Sequence, residues 1–337
     1  MLFEIHMLKN FPATNLNRDE TGAPKTCYFG GSQRGRISSQ CLKRSWRTSE
    51  LFGALESRGW RSRNLPEMVA KKLREMNVDE AYIDPAKLML TGIANKDKTV
   101  SNDLITGQII FFSPEDVQAL ADTVKALTEQ YEDVQKFTKL KPDDIIGPMK
   151  KAQARAITLD IALFGRMVTS DIILNVEASM QVAHAVSTHP VNLESDYFTA
   201  VDDLIHMMDE GGAGMIGDID YDSCCYYLYA SLDMDKLREN LKDSPESLAK
   251  VHELVPVLLR VMAMSNPSGK QNTFAGHVLP EAILVEVKQD KIPLNYANAY
   301  AEPVSRMSRR IVQDSIDKLV NDCLLYTSPS PRDRSLS

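Results

Sequence analysis

Residues Leu16 to Arg47 read LNRDETGAPKTCYFGGSQRGRISSQCLKRSWR. The first half is rich in turn formers: Asn17, Asp19, Gly22, Pro24 and then the Gly30-Gly31 pair. The second half is a capped helix. Ser38 and Ser39 supply its N-cap, and Leu42 and Trp46 mark an inner face that runs to about Phe52. On this helix Gln40, Lys43, Arg44 and Arg47 stand at offsets of three, four and seven, so they share another face. No acid lies between Thr21 and Ser49 to neutralise it. The open N–H groups at the Ser38 end form a further anion-binding element, and Arg18 and Lys25 in the preceding loop are placed to close over the same ligand. This pattern fits a phosphate-backbone surface better than a solvated basic helix.

Charge along the rest of the chain sharpens the contrast. The net charge is −7, which taken alone argues against a nucleic-acid partner. Yet Thr21 to Arg63 holds nine basic residues and two acidic ones, so this window carries +7 and the remainder −14. From Met167 to Asp235 there are thirteen acids and no lysine or arginine. Two opposite fields sit on one chain.

The composition is that of an ordinary globular protein: 337 residues, 43% hydrophobic and 25% charged. That length suits about two domains, or one core with large insertions. No apolar run approaches the roughly 18 residues of a membrane span, so no membrane partner is expected. The first residues, MLFEIHMLKN, carry Glu4 and His6 where a signal peptide is apolar, which predicts a cytoplasmic protein. Five cysteines without a CxxC spacing imply neither a disulfide framework nor a zinc finger.

Leu2 to Leu8 alternates and predicts a half-buried strand, with Phe3, Ile5 and Met7 inward. Gly53 to Lys151 is mostly helical. Its clearest helix opens at Ser113-Pro114-Glu115-Asp116, with Val117, Leu120, Ala121, Val124 and Leu127 on one face. Ala154–Phe164, Met180–Thr188, Cys224–Ser231 and Ile283–Val287 predict strands, and Ser244-Pro245 opens a helix that stops before Pro267. Without the insertions the order is strand, helix, strand, strand, helix, strand, the split pattern of ferredoxin-like domains that scaffolds many RNA-recognition modules. Three segments compete for the two middle strands. From Cys323 the text LLYTSPSPRDRSLS loses periodicity, and 323–337 is expected to be a non-native tail on a shortened chain.

Three further motifs have bland readings. Gly212-Ala213-Gly214-Met215-Ile216-Gly217 matches GxGxxG, but it follows an acidic stretch rather than a strand and reads as a loop tip. His184 and His189 are five apart on a strand-like segment, too far round to share a metal, and read as packed or RNA-stacking. Asp202-Asp203 reads as a solvated acidic face, with magnesium or acid–base chemistry as the functional alternative.

The Leu16–Arg47 stretch is followed in order by DIALFGRMVTS (Asp160–Ser170), VAHAVSTHPV (Val182–Val191), DYFTAVDDL (Asp196–Leu204), SGKQNTFA (Ser268–Ala275) and PLNYANAY (Pro293–Tyr300). Together they resemble the CasC family of type I-E CRISPR Cascade subunits, within the Cas-seven superfamily. The resemblance reaches about Asp322. It implies an α+β hand: an RNA-recognition-like, ferredoxin-like palm (1–52 and 152–322), helical fingers (53–151) and a long thumb hairpin (190–223). It also implies that copies stack head to tail on a CRISPR RNA with other Cascade subunits, and present the guide to target DNA. The matching backbone contacts are Arg18, Ser38, Gln40, Lys43 and Arg47. Gly165-Arg166-Met167 matches an element in which Met167 is a wedge beside a displaced base, and Lys270 and Gln271 lie in another matching segment. The expected role is non-catalytic and needs no metal or cofactor, since base pairing reads sequence and the protein holds backbone. The alternative is a metal-dependent endoribonuclease of type III kind, using Asp202 or Asp203 in the thumb.

Overall fold

Among the described residues, eleven strands are distributed along the chain: β1 (Leu2–Asn10), β2 (Thr26–Phe29), β3 (Ser32–Ile37), β4 (Trp60–Ser62), β5 (Ile110–Phe112), β6 (Met180–Val182), β7 (Ala185–Ser187), β8 (Glu194–Ala200), β9 (Met215–Tyr221), β10 (Cys225–Asp233) and β11 (Ala282–Lys288). Six helices carry the site or support it: α1 (Ser39–Arg47), α2 (Leu65–Glu75), α3 (Glu80–Thr91), α4 (Pro114–Gln130), α5 (Leu159–Phe164) and α6 (Ile311–Thr327). The computed structural model describes residues 1–54, 58–94, 103–145, 157–168, 173–200 and 215–327. The architecture is α+β, built on an antiparallel sheet. The chain divides into two compact units, Met1–Ser49 with Val182–Ser231 and Pro256–Ser337, and Glu50–Gln181 with Leu232–Val255.

The first unit carries the main sheet, in which β11, β1, β10, β7, β3 and β2 lie in that order. β11 pairs antiparallel with β1 from Leu2↔Lys288 to Leu8↔Ala282, and β7 pairs antiparallel with β10 through Tyr226↔Ser187. Two of the three segments that competed in the sequence for the middle strands, those holding β7 and β10, are thus paired. Between them in the chain stands a separate two-stranded ribbon, β8 on β9, in register from Glu194↔Tyr221 to Ala200↔Met215. Asp202 and Asp203, and Gly212 and Gly214 of the GxGxxG match, lie outside the described residues; Gly217 is on β9.

β1 is not half-buried. Glu4 and His6 are as deeply buried as Ile5 and Met7. Tyr227 and Tyr229 of the neighbouring β10 share their face, and Tyr296, Tyr300, Val304 and Leu319 cover it. The buried polar groups find partners there: His6 Nδ1 meets the Tyr227 hydroxyl at 2.8 Å, Tyr229 donates to Glu4, and the Leu294 N–H donates to Glu4 Oε1 at 2.7 Å. Lys288 pairs with Glu4. Burial raises the Glu4 pKa, but bonds from Lys288 and Tyr229 outweigh it and hold the carboxyl below its ordinary value.

Further expectations are corrected. Leu159–Phe164, placed in a strand, is the helix α5; a short apolar run fits either element, and Thr158 starts this one. Met180–Thr188 is two strands broken at Ala183-His184. The turn-rich loop contains a hairpin, β2 on β3, whose Gly30 and Gly31 take φ of +58° and +79°. Those are the positive angles of a tight two-residue hairpin turn, and a side chain at Gly30 would also collide with the Ala301 carbonyl. At the other end α6 continues through Thr327, so Cys323–Thr327 belong to a helix and not to an aperiodic tail.

In the second unit α2, α3 and α4 share one core, with Val69, Leu73, Leu90, Leu120 and Val124 all buried. Burying such a side chain stabilises by about 1.5–3 kcal/mol. α4 begins as its sequence predicts: Asp116 N donates to Ser113 Oγ at 3.1 Å, and Ser113 N to Asp116 Oδ2 at 2.9 Å. Among the described residues no helix is long and apolar enough to cross a membrane.

Candidate nucleic-acid interface

The loop before β2 is folded by short-range polar bonds. Asp19 Oδ1 accepts from the Thr21 hydroxyl at 2.7 Å, from Thr21 N at 2.9 Å and from Ala23 N at 3.1 Å. Arg18 and Pro24 form a backbone bridge, and Lys25 N donates to Asn17 O at 2.8 Å. This miniature hairpin puts Arg18 and Lys25 at its two ends. Asn17 then ties it to the helix, because Ser38 N donates to Asn17 Oδ1 at 2.8 Å. Ser38 is the N-cap as predicted, its hydroxyl accepting from Cys41 N at 3.4 Å, and α1 has no acid in its first turn.

β3 delivers Arg36 to the same place: Arg36 N donates to Lys25 O at 2.8 Å. Its guanidinium donates to Thr26 O at 3.2 Å and meets His184 Nδ1 at 3.1 Å. An arginine can only donate, so Nδ1 accepts and the neutral ring carries its proton on Nε2. Burial and the charges of Arg36, Lys25 and Lys43 push the His184 pKa down. Groups from a loop, a strand, the break between β6 and β7 and a helix thus feel one another. Arg18, Lys25, Arg36 and Arg44 form no ion pair among the described residues. Gln40 and Arg44 are exposed, and Ser39 and Lys43 half-exposed.

The Ser268–Ala275 segment joins from the far end of the chain. Gly269 packs so tightly on Leu16 that a side chain there would overlap the Leu16 carbonyl, which sets Lys270 beside the Arg18 loop. Lys270 has φ of +50°, a left-handed conformation that a lysine adopts only when its surroundings impose it. Phe274 contacts Tyr221 at the base of the β8–β9 ribbon, ring centroids 5.6 Å apart.

Several predicted residues have other employment. Arg47, expected on the ligand face, is 6% exposed and has partners within the protein. Gln271 donates to Pro267 O at 2.8 Å and so braces its own segment. Arg34, part of the basic run, is fully buried and donates to the carbonyls of Ser187 and Tyr300, both at 2.9 Å. Arg166 is also interior: its guanidinium reaches Asp116 Oδ2 at 2.5 Å and Leu174 O at 2.8 Å. Gln271, Arg34 and Arg166 thus spend polar groups on acceptors of the protein itself. Met167, the next residue, is 93% exposed at the rim of a cleft of about 1020 Å³ that Arg61, Ile109 and Phe111 also line. The anchor and the exposed methionine form one device, with Arg166 fixing the backbone that presents Met167. His189, the second histidine, is buried, accepting from Cys225 N at 3.2 Å.

In the sequence Arg36 stands out only as one of several basic residues, and His184 has no fixed role. The signal for both was the β2–β3 hairpin, which brings the strand carrying Arg36 against β7 through Arg36↔Val186.

A chain described as "CRISPR RNA-guided surveillance complex, pre-nicking" superimposes with a TM-score of 0.82 and 26% identity, covering 98% of this chain and 90% of that one. Another, described as "CRISPR RNA-guided surveillance complex", gives a TM-score of 0.71 over 98% of this chain and 89% of that one, and at 22% identity it speaks to the fold alone. No curated protein matches. The family model described as CT1975-like protein matches residues 3–327, and over that nearly complete span the chain belongs to the CT1975-like family.

Proposed function

We propose that this protein is a non-catalytic subunit of a CRISPR effector complex, of Cas-seven type and type I-E, that holds the sugar–phosphate backbone of the CRISPR RNA. The observation that carries the reading is the surface formed by Arg18, Lys25, Arg36, Gln40, Lys43 and Arg44, with His184 and Lys270 at its margins. Cations without carboxylate partners, as at Arg18, Lys25, Arg36 and Arg44, suit phosphates, which carry no sequence information and leave bases free to pair. The similarity to a chain from an RNA-guided surveillance complex supports the same assignment. In this reading the main sheet is a ferredoxin-like palm, the helical unit the fingers and the β8–β9 ribbon a thumb. Copies stack head to tail along the guide in the cytoplasm, beside other Cascade subunits, and the assembled guide pairs with target DNA. Glu194, Asp196, Asp218 and Asp220 give the ribbon an acidic character suited to a basic surface of the next copy.

The test is to purify the chain with its own CRISPR array expressed and to characterise what accompanies it. The reading requires short RNA of uniform length, with longer guides binding a stepwise larger number of copies by native mass spectrometry. Protein free of RNA, or a fixed dimer at every RNA length, would contradict it.

A further inference from the structure

Asn15 is fully buried, and its side chain is shared by two elements of the first unit. Its Nδ2 donates to Gly22 O at 2.9 Å, in the turn of the Arg18–Lys25 loop, and to Asp220 O at 2.8 Å, near the base of the β8–β9 ribbon. Two carbonyls can face only the amino end of an amide, so the partners fix its orientation, and both hydrogens are spent, one on each element. Asn15 Oδ1 has no hydrogen-bond partner among the described residues, so these two bonds alone hold the amide. The residue before it makes the backbone attachment of the ribbon: Asp222 N donates to Thr14 O at 2.9 Å, and Thr14 N to Asp222 O at 2.8 Å. One reciprocal pair acts as a pivot, and the Asn15 bond, two residues further along β9, fixes the inclination about it. The Ser268–Gly276 segment closes the other side of this junction. A side chain at Gly269 would overlap the carbonyls of Leu16 and Asn15, and one at Gly276 the Thr14 methyl. With Thr14–Leu16 clamped in this way, Asn15 cannot follow one partner without straining its bond to the other.

We propose that Asn15 is a positioning residue that couples the Arg18–Lys25 loop to the β8–β9 ribbon, so that order imposed on the loop by a bound phosphate strand sets the inclination of the ribbon. When the Gly22 carbonyl is held still, the amide is held with it, and so is the Asp220 carbonyl. The ribbon is a lever. Its strands of seven residues, at about 3.3 Å each, carry its far end roughly 20 Å from the pivot, so a rotation of about 10° at Asp220 moves that end by about 3–4 Å. Coupling requires an element with alternative arrangements that both sites bias, and a ribbon attached at one pivot supplies it. The functional half of this inference rests on the guide-binding reading; the mechanical link does not.

Hydrogen exchange read by mass spectrometry tests the link first without RNA. Asp19→Ala changes an exposed side chain, removes the acceptor of Thr21 and Ala23, and so loosens the loop. It should speed exchange in β8 and β9 as well as in the loop, by about fivefold, the factor that one ordinary hydrogen bond represents. Asn15→Ala should speed the ribbon by a similar factor, and on that background Asp19→Ala should speed the loop and add nothing in the ribbon. A residue that only filled space would leave the two effects additive. A short single-stranded RNA that one copy can hold should then slow both loop and ribbon in wild type, and the loop alone in Asn15→Ala. A ribbon that ignores Asp19→Ala, or answers it equally with and without Asn15, would overturn the coupling. The first of these is decided in protein that keeps Asn15, even where Asn15→Ala does not fold. A loop protected by RNA beside an indifferent wild-type ribbon would also overturn it and leave the guide-binding reading standing. A loop that RNA leaves unprotected would contradict that reading and, with it, the functional half of the inference.

Discussion

The Asn17–Arg47 region presents several basic residues and the Gly165–Met167 element presents one, Arg166, and the protein treats them in opposite ways. Around α1 the cations of Arg18, Lys25, Arg36 and Arg44 are left without carboxylate partners among the described residues, and burial together with the charges of Arg36, Lys25 and Lys43 depresses the His184 pKa there. In the second element Arg166 is neutralised at once by Asp116, a side chain already capping α4. What separates them is the availability of a buried acceptor, the Asp116 carboxylate for Arg166 and, within the first region, the Ser187 and Tyr300 carbonyls for Arg34. A charge that finds one becomes a fastener, and a charge that does not becomes a surface for someone else's anion.

The first way to break this comparison is to remove the fastener. Arg166→Ala strands the Asp116 carboxylate in the interior and should cost about 3–5 kcal/mol by urea unfolding. A loss below about 1 kcal/mol would show that Asp116 finds another partner and that the pair is not what holds Gly165–Met167. Asp222 is an intermediate case, a buried carboxyl whose partner is the neutral Tyr226 hydroxyl at 2.8 Å. Burial pushes its pKa up to about 6, against the pull of that bond. Its folded pKa lies above its unfolded one, so its stabilising contribution is present below the unfolded pKa, near 4, and is lost as pH rises through about 6. Asp222→Asn should therefore gain stability on wild type between about pH 4 and pH 7, by roughly 3 kcal/mol at most. Parallel pH profiles for the two proteins would refute the assignment.

Smaller effects sharpen the surface side. Lys25→Ala and Arg44→Ala should each change unfolding free energy by less than about 0.5 kcal/mol, as substitutions outside a network do. A larger loss would mean that the patch is structural after all. Finally, phosphates entering the patch should offset the cations around His184 and raise its pKa, which NMR titration with and without RNA reads directly. An unmoved His184 would place the phosphates elsewhere.

The local signals were legible because they are written within a few residues. The Ser38 cap of α1, the Ser113–Asp116 box of α4 and the buried face Val117–Leu127 follow from spacing alone. What escaped depends on partners far away in the chain. Nothing near Arg34 announces the Ser187 and Tyr300 carbonyls that bury it, and nothing near Arg166 points to Asp116, fifty residues earlier. β1 reads as half-buried because its second covering layer comes from the region around Tyr296 and Val304. The β2–β3 hairpin is a different matter. Gly30-Gly31 between two strand-forming runs is a hairpin signal, and reading it only as loop hid the placement of Arg36. The candidate surface was thus legible in its helix and its loop, and not in its strand.

The central claim is that the Arg18–Arg44 surface holds a guide through its phosphates. Dissociation constants for single-stranded RNAs of several unrelated sequences, measured against salt for wild type and for Lys25→Ala/Lys43→Ala/Arg44→Ala, test it most directly. The account predicts an equal loss for every sequence, with the log–log salt slope flattened by about 0.7 for each contact removed. An unchanged slope, or a loss confined to particular sequences, would contradict it.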